Sequence, residues 1–221
     1  MIITIDGPAG AGKSSAARAL AARLGFEFLD TGAMYRAVAL AAIRADIDRR
    51  DQDALGRLLA GLRIEVPPGR ALLNGEDVSA AIRTPETTEA TGAVADSPVV
   101  RRFLADCQRQ LAAGRNIVCE GRDQGTVVFA DAGCKFFLVA EPLERARRRQ
   151  RELAQRGKPV ELDEVLQAIE VRDRRDAGRE LAPMVPAADA VVLDTTALRL
   201  EEVVAQMEAE VRRRLPQDRE A

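Results

Sequence analysis

A chain of 221 residues has room for one α/β domain carrying small insertions and is short for two independent domains. Its 47% apolar content supports a buried core, while 3% aromatics, with no Trp and a single Tyr, argue against a stacking platform for single-stranded nucleic acid. A net charge of −2 supplies no basic field for nucleic acid or anionic membrane, so the expected partner is a small molecule.

Met1 leads straight into Ile2-Ile3-Thr4-Ile5 with neither a basic leader nor a long apolar run, so neither a secretion signal nor a membrane span is expected. The run Ile2 to Asp6 predicts a buried strand ending at Gly7. Helical spacing of Ala and Leu from Lys13 to Leu24, closed by Gly25, predicts a helix. A short strand over Phe26 to Asp30 and a helix from about Ala33 to Ala45 follow. This β–loop–α–β–α order is the signature of a parallel sheet with crossover helices.

The texture then changes. Arg63 to Val66, Pro67-Pro68-Gly69, Arg70 to Leu73 and Asn74-Gly75 predict small antiparallel strands and tight turns, punctuated further by Thr84-Pro85-Glu86 and Ser97-Pro98. Residues 60–97 therefore read as an insertion folded beside the main sheet. The α/β pattern resumes with a helix over Val99 to Ala113 and strands over Asn116 to Glu120 and Lys135 to Ala140. An Arg-rich helix is expected over Leu143 to Arg156, then a helix over Leu162 to Arg175, a strand over Ala190 to Asp194 and an amphipathic helix over Leu200 to Leu215.

Cys107, Cys119 and Cys134 form no C-x-x-C pair, and without histidine no His/Cys metal cage can be built. Free buried thiols and a cytoplasmic location are expected. Lysine occurs only at 13, 135 and 158, against thirty arginines. Codon bias accounts for most of that excess, yet planar guanidinium forks also suit phosphate oxygens.

Gly7-Pro8-Ala9-Gly10-Ala11-Gly12-Lys13-Ser14 matches G-x-x-x-x-G-K-[ST] in full, between a predicted strand and a predicted helix. Glycines let backbone N–H groups close around an anion at the positive end of the helix. Lys13 can bridge the β- and γ-phosphates of ATP, and the Ser14 hydroxyl can ligate Mg²⁺, with Ser15 completing the phosphate-binding segment. A GTPase switch is disfavoured because neither Asn74 nor Asn116 begins an N-K-x-D motif. No apolar run ending in Asp-Glu marks a motor or transporter ATPase. A small-molecule kinase remains, with a catalytically silent nucleotide-binding module as the rival from another class.

Several blocks resemble bacterial cytidylate kinases in matching order. They are Ile5 to Pro8, Asp30-Thr31-Gly32-Ala33-Met34-Tyr35-Arg36, Gly75 to Ser79, Glu120-Gly121-Arg122-Asp123 through Phe129, and Arg172-Asp173-Arg174-Arg175-Asp176-Ala177-Gly178-Arg179. The resemblance implies a three-layer doubly wound parallel α/β sheet, a P-loop kinase core in a single domain. It also implies a nucleoside-monophosphate-binding insertion near 60–97, a lid near 145–160 and a monomer. It implies transfer of the γ-phosphoryl group of ATP to CMP and dCMP with Mg²⁺; another P-loop kinase, such as one using UMP, is the alternative.

By the same resemblance, Arg36 and Arg122 grip the acceptor phosphate, and Arg101 and Asp123 read the cytosine edge. Tyr35, Arg172, Asp176 and Arg179 surround the ribose and its phosphate, and Lys13, Arg36, Arg122 and Arg179 form the catalytic set. By spacing alone, Arg36 and Arg101 read as solvated helix residues, Arg172/Asp176 equally as an i, i+4 helix pair or as site residues, and Arg122-Asp123, which follows an apolar strand where ligands collect, as site residues ahead of a surface ion pair. One or two of Arg145, Arg148 and Arg149 are expected at ATP, with Arg148 the candidate. Gly92 stands where the family pattern has a polar residue that helps hold the base, with Thr91 as a substitute, and Gln124 replaces an apolar residue. The acceptor phosphate is its own nucleophile, so no histidine is needed. Near pH 6 only a strongly raised carboxylate would titrate, with Asp123 the candidate. Lys13 is expected to be a surface-loop lysine with little packing role.

Overall fold

The computed structural model describes residues 1–155 and 157–214. Arg156 and Leu215, placed by the sequence at the ends of two helices, lie outside the described residues. The chain divides into two compact units, Met1–Phe28 with Gly114–Ala221, and Leu29–Ala113.

The first unit is built on strands β1 (Ile2–Asp6), β6 (Ile117–Glu120), β7 (Cys134–Val139) and β8 (Val191–Asp194), with β2 (Glu27–Asp30) at one edge. The sheet order is β2-β6-β1-β7-β8. β1 pairs in parallel with both β6 and β7, and β7 with β8, as crossover helices require. Strand period 2 gives β1 two different faces. Ile3 and Ile5 point into an apolar layer with Val118, Phe136 and Leu138, sealed by Leu20 of helix α1 (Lys13–Leu24) and by Val204 and Met207 of α8 (Leu200–Arg214). The opposite face is polar: Thr4 lies in register with Cys119 on one side and Lys135 on the other, and Asp6 follows toward the carboxyl end. All four are buried. Helices α6 (Pro142–Gln155) and α7 (Leu162–Ala177) pack through Ala146, Val165 and Ile169.

The second unit holds α2 (Thr31–Arg44), α3 (Gln52–Leu59), a small antiparallel sheet β3-β4-β5 (Ile64–Glu65, Leu72–Leu73, Glu76–Asp77), α4 (Pro85–Asp96) and α5 (Pro98–Ala112). Asn74 and Gly75, at φ 51° and 85°, form the two-residue hairpin that their sequence predicts. Ala33, Ala37 and Ala41 of α2 pack against Leu73, Val78 and Ile82.

Three local readings are corrected. Asp30 ends β2 and at once caps α2, accepting from the Ala33 N–H at 2.8 Å, so the helix starts at Thr31. Thr84-Pro85 and Ser97-Pro98 open helices: each hydroxyl caps, and each Pro fills the first helical position where its missing N–H costs nothing. The stretch expected as strands and turns thus contains α4. Helix α3, which the sequence reading passed over, has a plain start signal in Asp51, whose carboxylate accepts from the N–H groups of Asp53 and Ala54.

Candidate active site

The loop from Gly7 to Gly12 leaves the carboxyl end of β1, where ligands collect in parallel α/β sheets, and feeds α1. Gly7 is obligatory. Its φ is 134°, and a Cβ there would sit 2.1 Å from the Leu138 carbonyl oxygen. Lys13 is not the surface lysine its loop suggests. It is 5% exposed, and its ammonium donates to the Pro8 carbonyl at 2.7 Å. Burial, then the neighbouring Arg122 guanidinium, lower its pKa from 10.5 to about 7. The Ser14 hydroxyl donates to Glu120 Oε1 at 2.5 Å, joining the loop to the end of β6. Ser14 and Glu120 together form an oxygen donor set suited to a hard divalent cation.

A cavity of about 620 Å³ opens over this loop. Residues Gly10 to Ala16 line it on one side, Glu144, Arg148 and Arg151 of α6 on another, and Thr195 to Leu200 complete it. The three candidate arginines, of which one or two are expected at ATP, separate. Arg148 lines the cavity and donates to the Thr195 and Thr196 carbonyls at 2.5 and 3.2 Å. Arg145 is buried behind the loop, donating to the carbonyls of Ala140 and Ala9 at 2.9 and 3.0 Å and pairing with Asp173. Arg149 pairs with Glu152 on its own helix. The Thr195 hydroxyl, 3.1 Å from the Ala11 carbonyl, had no sequence signal beyond following a short strand.

Arg122, Arg172, Asp176 and Arg179 meet around one carboxylate. Asp176 is 3% exposed; it accepts from Arg122 Nε at 2.9 Å and from Arg179 Nη2 at 2.7 Å, with Arg172 Nε 3.8 Å away. The i, i+4 pair is therefore the weakest of the three contacts. Burial alone would raise the Asp176 carboxyl, but Arg122, Arg179 and Arg172 outweigh it and hold it below the ordinary carboxylate range. Asp123 is buried next to Arg122, and its carbonyl accepts from the Val127 and Val128 N–H groups of a π-helical turn over Gln124–Val128.

In the second unit, Arg36 pairs with Asp30 at 3.3 Å. The Arg101 guanidinium lies over the Tyr35 ring, 5.9 Å from its centroid, and donates to the Ala95 carbonyl at 3.0 Å. The Thr91 hydroxyl donates to the Thr87 carbonyl within α4.

Two further buried carboxylates, to which the sequence alone assigns no role, border the loop. Glu120 ends an apolar strand, which is a usable signal for an acidic partner of the phosphate loop. Asp6 precedes Gly7, and its pKa is raised to about 6 by burial, against the opposing hydrogen bonds from the Gly125 and Gln124 N–H groups. The expectation that only Asp123 could be so raised is corrected: Asp6 and Lys13 both titrate near neutrality.

A phosphate loop with a buried lysine, a hydroxyl–carboxylate pair beside it and a nearby arginine cluster define a P-loop phosphotransferase. The sequence matches the cytidylate kinase family over residues 3–213. It is 49% identical to a cytidylate kinase of Pelotomaculum thermopropionicum over 214 residues, covering 95% of each chain. It is likewise 49% identical to a cytidylate kinase of Geobacter sulfurreducens over 218 residues, covering 97% of this chain and 94% of the relative. A solved structure of an uncharacterized protein from Eubacterium ventriosum superposes with a TM-score of 0.52 at 10% identity, over 96% of this chain and 98% of that one, a likeness of fold alone. The chain belongs to the cytidylate kinase family.

Proposed function

We propose that this enzyme transfers the γ-phosphoryl group of ATP to the phosphate of CMP or dCMP. The observation that carries the reading is the Asp176 cluster. One buried carboxylate holds the guanidiniums of Arg122 and Arg179 in fixed directions in the same unit as Lys13, so cations are arranged before any anion arrives.

In this reading the loop N–H groups and Lys13 hold the donor phosphates, and Arg148 borders the rest of the nucleotide. Ser14, with Glu120 behind it, would hold Mg²⁺, which when bound neutralises charge on the donor phosphates. The acceptor phosphate is mostly dianionic at neutral pH and attacks in line, so no base is required. Arg122 and Arg179 bind and orient that phosphate, and Asp176 keeps both in place. In the first unit Asp123 reads the base and Arg172 borders the ribose; in the second unit, taken by itself, Arg36, Arg101 and Tyr35 are the side chains offered to a nucleotide. The work is positioning and charge stabilisation with water excluded.

The reading also takes residues 60–97 as the acceptor-binding insertion and 145–160 as a lid within one domain, in a cytoplasmic monomer. Two of the free thiols, Cys119 and Cys134, are pushed by burial to pKa values of about 12 and 11, which suits a structural role in a reducing compartment. No helix among the described residues is long and apolar enough to cross a membrane. The test is coupled ADP release with CMP, dCMP, UMP, AMP and GMP at equal concentration. CMP and dCMP should be turned over fastest; equal use of UMP would favour a broader pyrimidine kinase.

A further inference from the structure

We infer that Asp6 is a positioning residue for acceptor recognition: its carboxylate fixes the backbone turn that follows Asp123 and so holds Asp123 in place. The inference rests on the function proposed above and adds a residue to it.

Two N–H donors at the start of the turn after Asp123 need partners from outside it. The first N–H groups of a helical turn have no partner within the turn. In the turn over Gln124–Val128, the Gln124 N–H donates to Asp6 Oδ1 at 3.0 Å and the Gly125 N–H to Asp6 Oδ2 at 2.7 Å. Both oxygens of one buried carboxylate are spent on adjacent peptide groups. The peptide unit joining Asp123 to Gln124 is planar, so holding the Gln124 N–H also orients the Asp123 carbonyl. That carbonyl in turn accepts from the Val127 and Val128 N–H groups at 2.9 and 3.3 Å. The peptide plane that follows Asp123 is therefore held from both ends, which fixes where the Asp123 Cα sits.

The anchor is rigid. Asp6 closes β1, in register with Phe137, and the Gly121 N–H donates to the Ile5 carbonyl at 3.0 Å. The turn also lies against the sheet: a Cβ on Gly125 would sit 2.8 Å from Thr4 Oγ1 and 3.4 Å from Asp6 Oδ2. The Thr4 hydroxyl has no hydrogen-bond partner among the described residues, so its removal breaks no bond. A carboxylate immediately before the phosphate loop thus acts at the other substrate.

Two perturbations test this. Asp6→Asn keeps the volume but leaves an NH₂ group facing one of the two N–H donors. We expect kcat/KM for CMP to fall at least about thirtyfold, since an unmet buried hydrogen bond of roughly 2 kcal/mol corresponds to that factor. Because the Asp6 charge also acts on Lys13, binding of the β,γ-imido analogue of ATP is compared in the Gly125→Ala protein, where it should change less than about threefold. Amide resonances of Gln124 and Gly125 should move in ¹H–¹⁵N spectra while those of α1 stay in place. Gly125→Ala displaces the same turn from the other side and should also lower kcat/KM for CMP; adding Thr4→Ala makes room and should restore at least tenfold. Equal losses toward both nucleotides in the Gly125→Ala protein, no loss at all, or no rescue by Thr4→Ala would overturn the inference. Should Asp6→Asn not fold, the Gly125→Ala and Thr4→Ala/Gly125→Ala pair decides. Should the unaltered enzyme ignore CMP, the proposed function fails, and the amide resonances still decide the role of Asp6.

Discussion

Replacing Lys13 with Met should stabilise the nucleotide-free protein while removing its activity. The folded-state pKa of Lys13, about 7 against an ordinary 10.5, means that burial beside Arg122 disfavours the charged form. A lowered lysine pKa penalises folding fully below the folded value, and the penalty fades as pH rises toward the unfolded value. At about 1.4 kcal/mol per tenfold change in proton affinity, the upper bound is about 5 kcal/mol. Losing the bond to the Pro8 carbonyl returns about 1 kcal/mol. A net gain of about 2 kcal/mol at pH 6.5, shrinking toward zero by pH 9.5, is the expectation. Urea unfolding at the two pH values measures it, and a coupled assay on the same samples should show turnover reduced at least about a hundredfold, as for loss of a preorganised cation at the transferring group. A less stable Lys13→Met protein, or a gain independent of pH, would refute the reasoning from burial. Near-normal turnover would remove the phosphate loop from the mechanism.

The remaining predictions concern the acceptor side. Asp176→Asn leaves Arg122 and Arg179 partly buried without their counter-charge, and about 3 kcal/mol of stability should be lost at pH 7, a fall in Tm of roughly 6–12 °C for a chain of this size. Because the Asp176 carboxyl is held below its ordinary value, its contribution is present above about pH 4 and is lost as pH falls through the folded pKa; thermal melts of both proteins from pH 7 downward should converge there. CMP should exceed UMP by at least about tenfold in kcat/KM, since donor and acceptor are exchanged at two atoms of the base; equal values would point to Gly92 and to a Thr91 hydroxyl already donating within α4. The acidic limb of kcat/KM should follow the second ionisation of the acceptor phosphate, near pKa ~6. A phosphonate analogue of CMP should therefore shift it upward, whereas a fixed limb would assign it to an enzyme group, with Asp6 foremost because its pKa is about 6.

The sequence by itself determined the parallel α/β layout, the phosphate loop and the Asn74-Gly75 hairpin. These are written in local chemistry: period-2 and period-3.6 apolar patterns, glycines at positive φ, and a lysine at a fixed offset from them. The same local signals are present for α3 and α4 in Asp51 and in Thr84-Pro85, but by sequence alone a Pro reads as an interruption where it opens a helix. Only tertiary structure decided which charges line the cavity and which are paired within the fold. Arg145, Arg148 and Arg149 are near neighbours on one helix, yet one is buried behind the loop, one lines the cavity and one pairs with Glu152. Asp6 and Glu120 read as strand ends until their partners, more than a hundred residues away in the chain, are brought beside them. Spacing along the sequence carries no information about such pairs. Burial and long-range hydrogen bonds set the direction of Arg122, the pKa of Lys13 and the place of Asp123, and those belong to the folded chain alone.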